Sequence, residues 1–127
     1  MGSIAGLILA AGASNRMGRP KQHLPAGDVS LLDRIIVEAL HSELDPVVLV
    51  LGHRSHELRA ALVTDLNHPK LHVRINRNYR DGISTSLLTG LTEVERTCDH
   101  IMVLLADMPY ITSDLINLLL RKYLDSG

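Results

Sequence analysis

Four short apolar runs punctuate the chain, at residues 4–10 (IAGLILA), 46–51 (PVVLVL), 71–75 (LHVRI) and 100–106 (HIMVLLA). Each has the length of a strand. The first, second and fourth are almost continuously hydrophobic, as expected for strands of a parallel sheet covered on both faces. The intervening segments follow a helical period instead. Residues 30–42 put Leu32, Ile35, Ile36, Ala39 and Leu40 on one stripe, with Ser30 at the position of an N-cap and Asp33 three residues on. Residues 55–63 and 84–96 carry similar stripes, the second weakened by Gly90. Residues 112–124 open with Thr112 and Asp114 and close with Arg121 and Lys122, matching the preference of each helix end for charge. This alternation predicts an α/β fold: a three-layer, doubly wound, mostly parallel sheet of Rossmann-like form with right-handed crossovers. Ligands of such sheets sit at the carboxyl ends of the strands, near the point where strand order reverses. With no repeat or internal linker in the sequence, residues 1–127 read as a single domain.

Composition removes several classes of function. Thirteen Lys and Arg against fourteen Asp and Glu give a formal charge of −1, so no global basic field attracts nucleic acid. Tyr79, Tyr110 and Tyr123 are the only aromatic residues, which leaves few platforms for stacking bases. No run of apolar residues is long enough to cross a bilayer, and the first residues lack the patterns of a signal peptide or a myristoylation site. The expectation is a cytoplasmic protein without nucleic-acid or membrane partners. Cys98 is the one cysteine, which excludes an intrachain disulfide and agrees with a reducing compartment. It reads as an inert thiol just before the fourth strand, with Asp99 rather than a cation beside it. His53 and His56 lie three apart, but no third ligand is near them in sequence, so they read as solvated or structural.

Three stretches carry candidate chemistry. In LILAAGASNRMGRPKQ (7–22) the first strand runs into Gly12, Arg16, Gly18, Arg19 and Lys21 with no acidic residue. Exposed N–H groups with three cations suit a polyphosphate, although composition alone fits an ordinary solvated loop equally well. The spacing is neither that of a Walker loop nor that of the dinucleotide G-x-G-x-x-G fingerprint. In LLADMPYIT (104–112), Asp107 follows a buried strand and Pro109 favours the start of the next helix. A carboxylate there suits Mg²⁺, which takes one or two protein oxygens and completes its shell with phosphates and water; helix capping is the other reading. In NRNYRDGISTSLLTGL (76–91), Gly82 and the hydroxyls of Ser84, Thr85 and Ser86 stand at a helix start. A plain cap uses one hydroxyl, and ordinary turns use Ser and Thr as well.

Taken in order, these stretches resemble the molybdenum cofactor nucleotidyltransferases, a MobA-like NTP transferase family of the nucleotide-diphospho-sugar transferase type, and within it the cytidylyltransferase branch. Leu9, Ala10, Ala11, Gly12, Ser14, Arg16, Met17, Gly18 and Lys21 fill the signature L-A-A-G-x-S-x-R-M-G-x-x-K. A-D-M-P around Asp107 is similar to the family's metal-binding segment. Asn76, Tyr79, Gly82, Ser86, Leu87, Gly90 and Leu91 match N-x-x-[WY]-x-x-G-x-x-x-S-L-x-x-G-L.

The resemblance implies transfer of a nucleoside monophosphate from a nucleoside triphosphate to a phosphorylated acceptor such as the molybdopterin cofactor, with release of pyrophosphate. It makes Arg16, Lys21 and Asp107 catalytic, with Asp107 the Mg²⁺ ligand. It puts Leu9, Ala10, Ala11, Gly12, Ser14, Arg16, Lys21, Gly82 and Ser86 against the nucleotide. Ala10 and Ala11 stand where the guanylyltransferase branch has L-A-G-G, which favours CTP over GTP. RPKQHLP (19–25) is also similar to the cytidylyltransferases of isoprenoid-precursor synthesis, but A-D-M-P replaces that family's acidic-and-arginine loop. Family members continue with a Gly-Asp-x-Gly-type segment that this sequence lacks, so the match looks like the N-terminal, nucleotide-binding part. That implies an uncovered sheet edge or apolar patch, self-association or a partner protein, and, as the alternative function, nucleotide binding without turnover.

Overall fold

The computed structural model describes residues 3–10, 26–52, 55–64, 66–78, 82–96, 98–105 and 110–126. Strands and helices alternate: β1 (Ser3–Ala10), α1 (Ala26–His41), β2 (Val47–Leu51), α2 (Ser55–Ala61), β3 (Leu71–Ile75), α3 (Ile83–Val94), β4 (Cys98–Leu105) and α4 (Ser113–Ser126). All pairings are parallel and the strand order is β3-β2-β1-β4. The chain therefore steps outward from β1 to β2 and β3, then returns past both to lay β4 on the other side of β1. Strand order reverses between β1 and β4.

Right-handed crossovers in opposite directions put their helices on opposite faces of a sheet, and the two cores follow that rule. On one face, Leu32, Ile35, Ile36 and Ala39 of α1 pack with Ile116 and Leu120 of α4 over Ile4, Ile8, Val47, Leu49, Leu51 and Leu104. On the other, Val94 and Leu87 of α3 cover Ala5, Leu7, Leu9, Val48 and Val50. Alternate residues of β1 and β2 thus serve opposite faces, and all five residues of β2 are buried. This is the reason those strands read as unbroken apolar runs.

Four local expectations need correction. Helix α1 begins at Ala26, so Ser30 lies inside it and is not its cap. Asp33 instead reaches the chain leaving α2, accepting from the backbone N–H groups of Val63 (3.1 Å) and Thr64 (3.1 Å) and from Thr64 Oγ1 (2.6 Å). Cys98 is the first residue of β4 rather than its predecessor: it pairs with Ser3, and the register slips before Ile4 meets His100. Helix α4 continues past Lys122 to Ser126, and Arg121 is paired with Glu43 at 3.3 Å rather than closing the helix. Its start agrees with expectation, Leu115 N–H donating to Thr112 Oγ1 at 3.1 Å.

Beyond β4 no strand pairs with the sheet among the described residues. On α4, Leu118, Leu119, Tyr123 and Leu124 are exposed. No helix among the described residues is long and apolar enough to cross a membrane.

Candidate functional site

Because every strand is parallel, one edge of the sheet collects all the carboxyl ends: Ala10, Leu51, Ile75 and Leu105. At the reversal point Leu9 is in register with Leu105. The glycine- and cation-bearing segment and the segment containing Asp107 therefore leave from adjacent strands at one end of the sheet. Ala11, Gly12, Ser14, Arg16, Lys21 and Asp107 themselves lie outside the described residues, as do Met17, Gly18 and Tyr79. Leu9 and Ala10 are described, as the last two positions of β1. The Leu9 side chain packs into the core beneath α3, and Ala10 packs against the opposite core. Any contact of Leu9 with a ligand at this edge would thus fall to its backbone.

The third motif is built around Asn76, which is 3% exposed. Its backbone N–H donates to Leu51 O at 2.6 Å, extending the β2–β3 ladder by one residue. Its side-chain Nδ2 donates to Thr85 Oγ1 and to Ser86 Oγ, both at 2.9 Å, while its Oδ1 accepts from Asn78 N–H at 2.9 Å. Thr85 Oγ1 in turn lies 2.7 Å from Gly82 O and 2.9 Å from Asn78 O, either of which can accept its proton. Burial of so many polar atoms is tolerated because they satisfy one another. The result binds the carboxyl ends of β2 and β3 to the first turn of α3.

Gly82 is the N-cap of α3, with φ +112° and ψ 169° and no side-chain cap bond. This backbone region is open essentially to glycine alone. A Cβ at Gly82 would meet nothing within 4 Å, so dihedral freedom rather than space explains the glycine. None of Ser84, Thr85 and Ser86 is the cap. Their surplus of hydroxyls has a different origin, since Asn76 takes two of them. Ser86 is 3% exposed and Ser84 is exposed. The motif's other glycine, Gly90, is a packing residue: a Cβ there would stand 2.5 Å from Leu7 Cδ2.

An ion-paired cluster joins β3 to α3. Glu93, near the far end of α3, accepts from His72 Nδ1 (2.8 Å) and from Arg74 Nε (2.7 Å) and Nη2 (2.6 Å). Burial pushes its carboxyl up, but the hydrogen bonds from His72 and Arg74 and the Arg74 charge outweigh that and hold it below the usual glutamate value. Among the described residues no cluster of three His, Cys, Asp or Glu side chains could hold a metal ion.

Residues 6–127 match the MobA-like NTP transferase domain. The chain belongs to that family. Among relatives, this MobA-like chain is 33% identical over 115 residues to the molybdenum cofactor cytidylyltransferase of Escherichia coli (strain K12), covering 91% of the chain and 57% of that protein. It is 30% identical to the nicotine blue oxidoreductase of Paenarthrobacter nicotinovorans (94% and 57% covered). It is 27% identical to the probable molybdenum cofactor guanylyltransferase of Mycobacterium ulcerans (strain Agy99) (98% and 58%). The crystal structure of Rv0371c from Mycobacterium tuberculosis H37Rv superposes with a TM-score of 0.73 at 30% identity, covering 94% of this chain and 59% of that one. The complex of Rv0371c with manganese gives 0.67 at 28% identity, with the same coverage. The MobA-like chain thus spans less than two thirds of the length of each of these relatives.

Asn76 was visible in sequence only as the first position of a motif. Its partners are nine and ten residues away, beyond the reach of any helical or strand period. The available signal was the three hydroxyl residues in succession at a single helix start, more than a cap consumes.

Proposed function

We propose that this MobA-like chain is the nucleotide-binding part of a Mg²⁺-dependent nucleotidyltransferase, moving a nucleoside monophosphate from a nucleoside triphosphate to a phosphorylated acceptor such as molybdopterin. One observation carries the reading: Leu9 and Leu105 are paired at the strand reversal, so the Gly12–Lys21 stretch and Asp107 depart from neighbouring strands where open α/β sheets bind ligands. In the reaction an acceptor phosphate oxygen forms a bond to the α-phosphorus, the bond from that phosphorus to the β-phosphate oxygen breaks, and pyrophosphate leaves. The nucleophile is already ionised, so the protein's contribution is positioning and charge neutralisation. Arg16 and Lys21 would offset the charge gathering on the leaving diphosphate. Gly12 and Ser14 would lend backbone and hydroxyl donors to the phosphates, and Gly82 and Ser86 would meet the nucleotide from the start of α3.

The Asp107 carboxylate is a hard oxygen donor of the kind Mg²⁺ takes from proteins, and the ion would supply further neutralisation of phosphate charge. The complex of Rv0371c with manganese supports a divalent ion in this family. CTP is the favoured nucleotide because Ala10 and Ala11 follow the cytidylyltransferase pattern; the E. coli relative carries that name, while the M. ulcerans relative is named for guanylyl transfer.

The test is to incubate the protein with each nucleoside triphosphate, Mg²⁺ and molybdopterin, with or without bound molybdenum, and to measure pyrophosphate. CTP-dependent release supports the reading. CTP binding without release selects the second reading, a nucleotide-binding module without turnover. Release only with an isoprenoid-precursor phosphate would move the chain to another acceptor class.

A further inference from the structure

Within the reading just given, the start of α3 meets the nucleotide, and the α3 residue that bonds that start, Thr85, is itself held by a residue outside the helix. Its N-cap is a glycine without a side chain and without a side-chain cap bond. The first turn is held from outside, by a carboxamide that belongs to the end of β3. We infer that Asn76 is a positioning residue for the nucleotide, setting where Gly82 and Ser86 stand through its bonds to Thr85 and Ser86.

Three observations carry this. Asn76 is bound on every side: by its backbone to Leu51 of β2, by Oδ1 to Asn78, and by Nδ2 to Thr85 and Ser86. A buried group with its bonding capacity so fully used has one orientation, which it imposes on its partners. The linkage also reaches the glycine, because Thr85 Oγ1 accepts from Asn76 and lies 2.7 Å from Gly82 O. Finally, the bond has a polarity. Ser86 Oγ accepts from Asn76 Nδ2, so its own proton is left to donate elsewhere, which an anionic or carbonyl acceptor of a nucleotide requires.

This polarity separates positioning from mere support. Asn76→Asp keeps the size of the side chain and the acceptor for Asn78, and its carboxylate can still bond Thr85 and Ser86, but only by taking their protons. Support of the fold then survives while donation to the nucleotide is lost. Thr85→Val breaks the same linkage from the other side.

The experiment measures the Kd for CTP by titration calorimetry on the whole chain, for the wild type, Asn76→Asp, Thr85→Val and the double variant, with thermal unfolding of each. Each single variant is expected to bind CTP about ten-fold more weakly with cooperative unfolding retained, and the double variant no more weakly than the weaker single, because both disrupt one linkage. Unchanged affinity in folded Asn76→Asp, or losses that simply add, would overturn the inference while leaving nucleotide binding in place. If Asn76→Asp fails to fold, unchanged affinity in Thr85→Val overturns it equally. A wild type that binds no nucleoside triphosphate removes the transferase reading and this inference together.

Discussion

Gly90 of α3 lies so close to Leu7 of β1 that a Cβ on the glycine would stand 2.5 Å from Leu7 Cδ2 and 2.9 Å from its Cγ. Leu7 is fully buried and cannot swing aside freely. The close approach lets α3 lie directly on the inner strands, so the glycine that weakens the helix in isolation improves the packing of the whole.

Gly90→Ala sets two effects against each other. Helix propensity gains up to about 1 kcal/mol, whereas overpacking a closed core costs about 1–3 kcal/mol. A net loss of about 1 kcal/mol is expected, read as a lower urea midpoint with an unchanged slope. A rise in midpoint would mean that the β1–α3 contact is looser than the structure has it.

Gly82→Ala tests backbone rather than volume. With open space around the missing Cβ and φ at +112°, the loss should be about 1–3 kcal/mol and entirely conformational. Substitution by Asn or Asp should rescue little, because this region of φ and ψ is not the left-handed helical one those residues tolerate. Chemical denaturation of the three variants distinguishes the cases: equal losses support the dihedral account, and a marked advantage for Asn refutes it.

Asp33 ties two helices on the same face by closing the exit of α2 from a position inside α1. Asp33→Ala frees the Val63 and Thr64 N–H groups and should cost about 0.5–2 kcal/mol, the range of a lost helix-capping carboxylate. Hydrogen exchange should rise first at Val63 and Thr64. Protection unchanged there would mean that the carboxylate is dispensable.

The Glu93 cluster gives acid sensitivity of a definite sign. Its carboxyl is held below the usual glutamate value in the folded state, so its contribution is complete above the unfolded value and disappears as pH falls through the folded one. Arg74 is 47% exposed, so screening keeps the contribution within about 1 kcal/mol. Glu93→Gln should therefore lower stability at about pH 7, and that difference should shrink as pH falls below the usual glutamate value, in urea titrations along that range. A difference that persists in acid would exclude this cause.

For the proposed transfer reaction, Lys21→Ala and Asp107→Ala should each lower pyrophosphate release by at least about a hundred-fold, the scale of removing one preorganised charge from a reacting phosphate. Circular dichroism should stay as in the wild type, since neither residue belongs to a described strand or helix. Activity surviving both substitutions would reassign the chemistry.

What the sequence made legible was whatever depends on short-range pattern. The unbroken apolar runs at 4–10 and 46–51 revealed strands covered on both faces, and the Ile35–Ile36–Ala39 stripe revealed the face α1 buries; the equally apolar run at 100–106 belongs to an outer strand, where His100 and Val103 are exposed. Long-range contacts escaped. Ser30 and Asp33 make a plausible capping pair on paper, but Asp33 serves residues thirty positions away. Gly90 looked like a defect because Leu7 is far from it in sequence. At the candidate site, Gly82 and Ser86 were recognisable as motif positions, whereas the side chain that joins them to the sheet emerges only when β3 and α3 are seen together.

Among the described residues, the two margins of the sheet are unlike. On β3, Arg74 folds back to donate to Val73 O on its own strand and is clasped by Glu93, so that margin carries charge and has one carbonyl already taken. On β4 the stretch Ile101, Met102, Val103, Leu104 and Leu105 carries no charge and no proline. Growth of the sheet by an incoming strand is thus discouraged on one flank and invited on the other, and the inviting flank is the one beside the crevice where strand order turns.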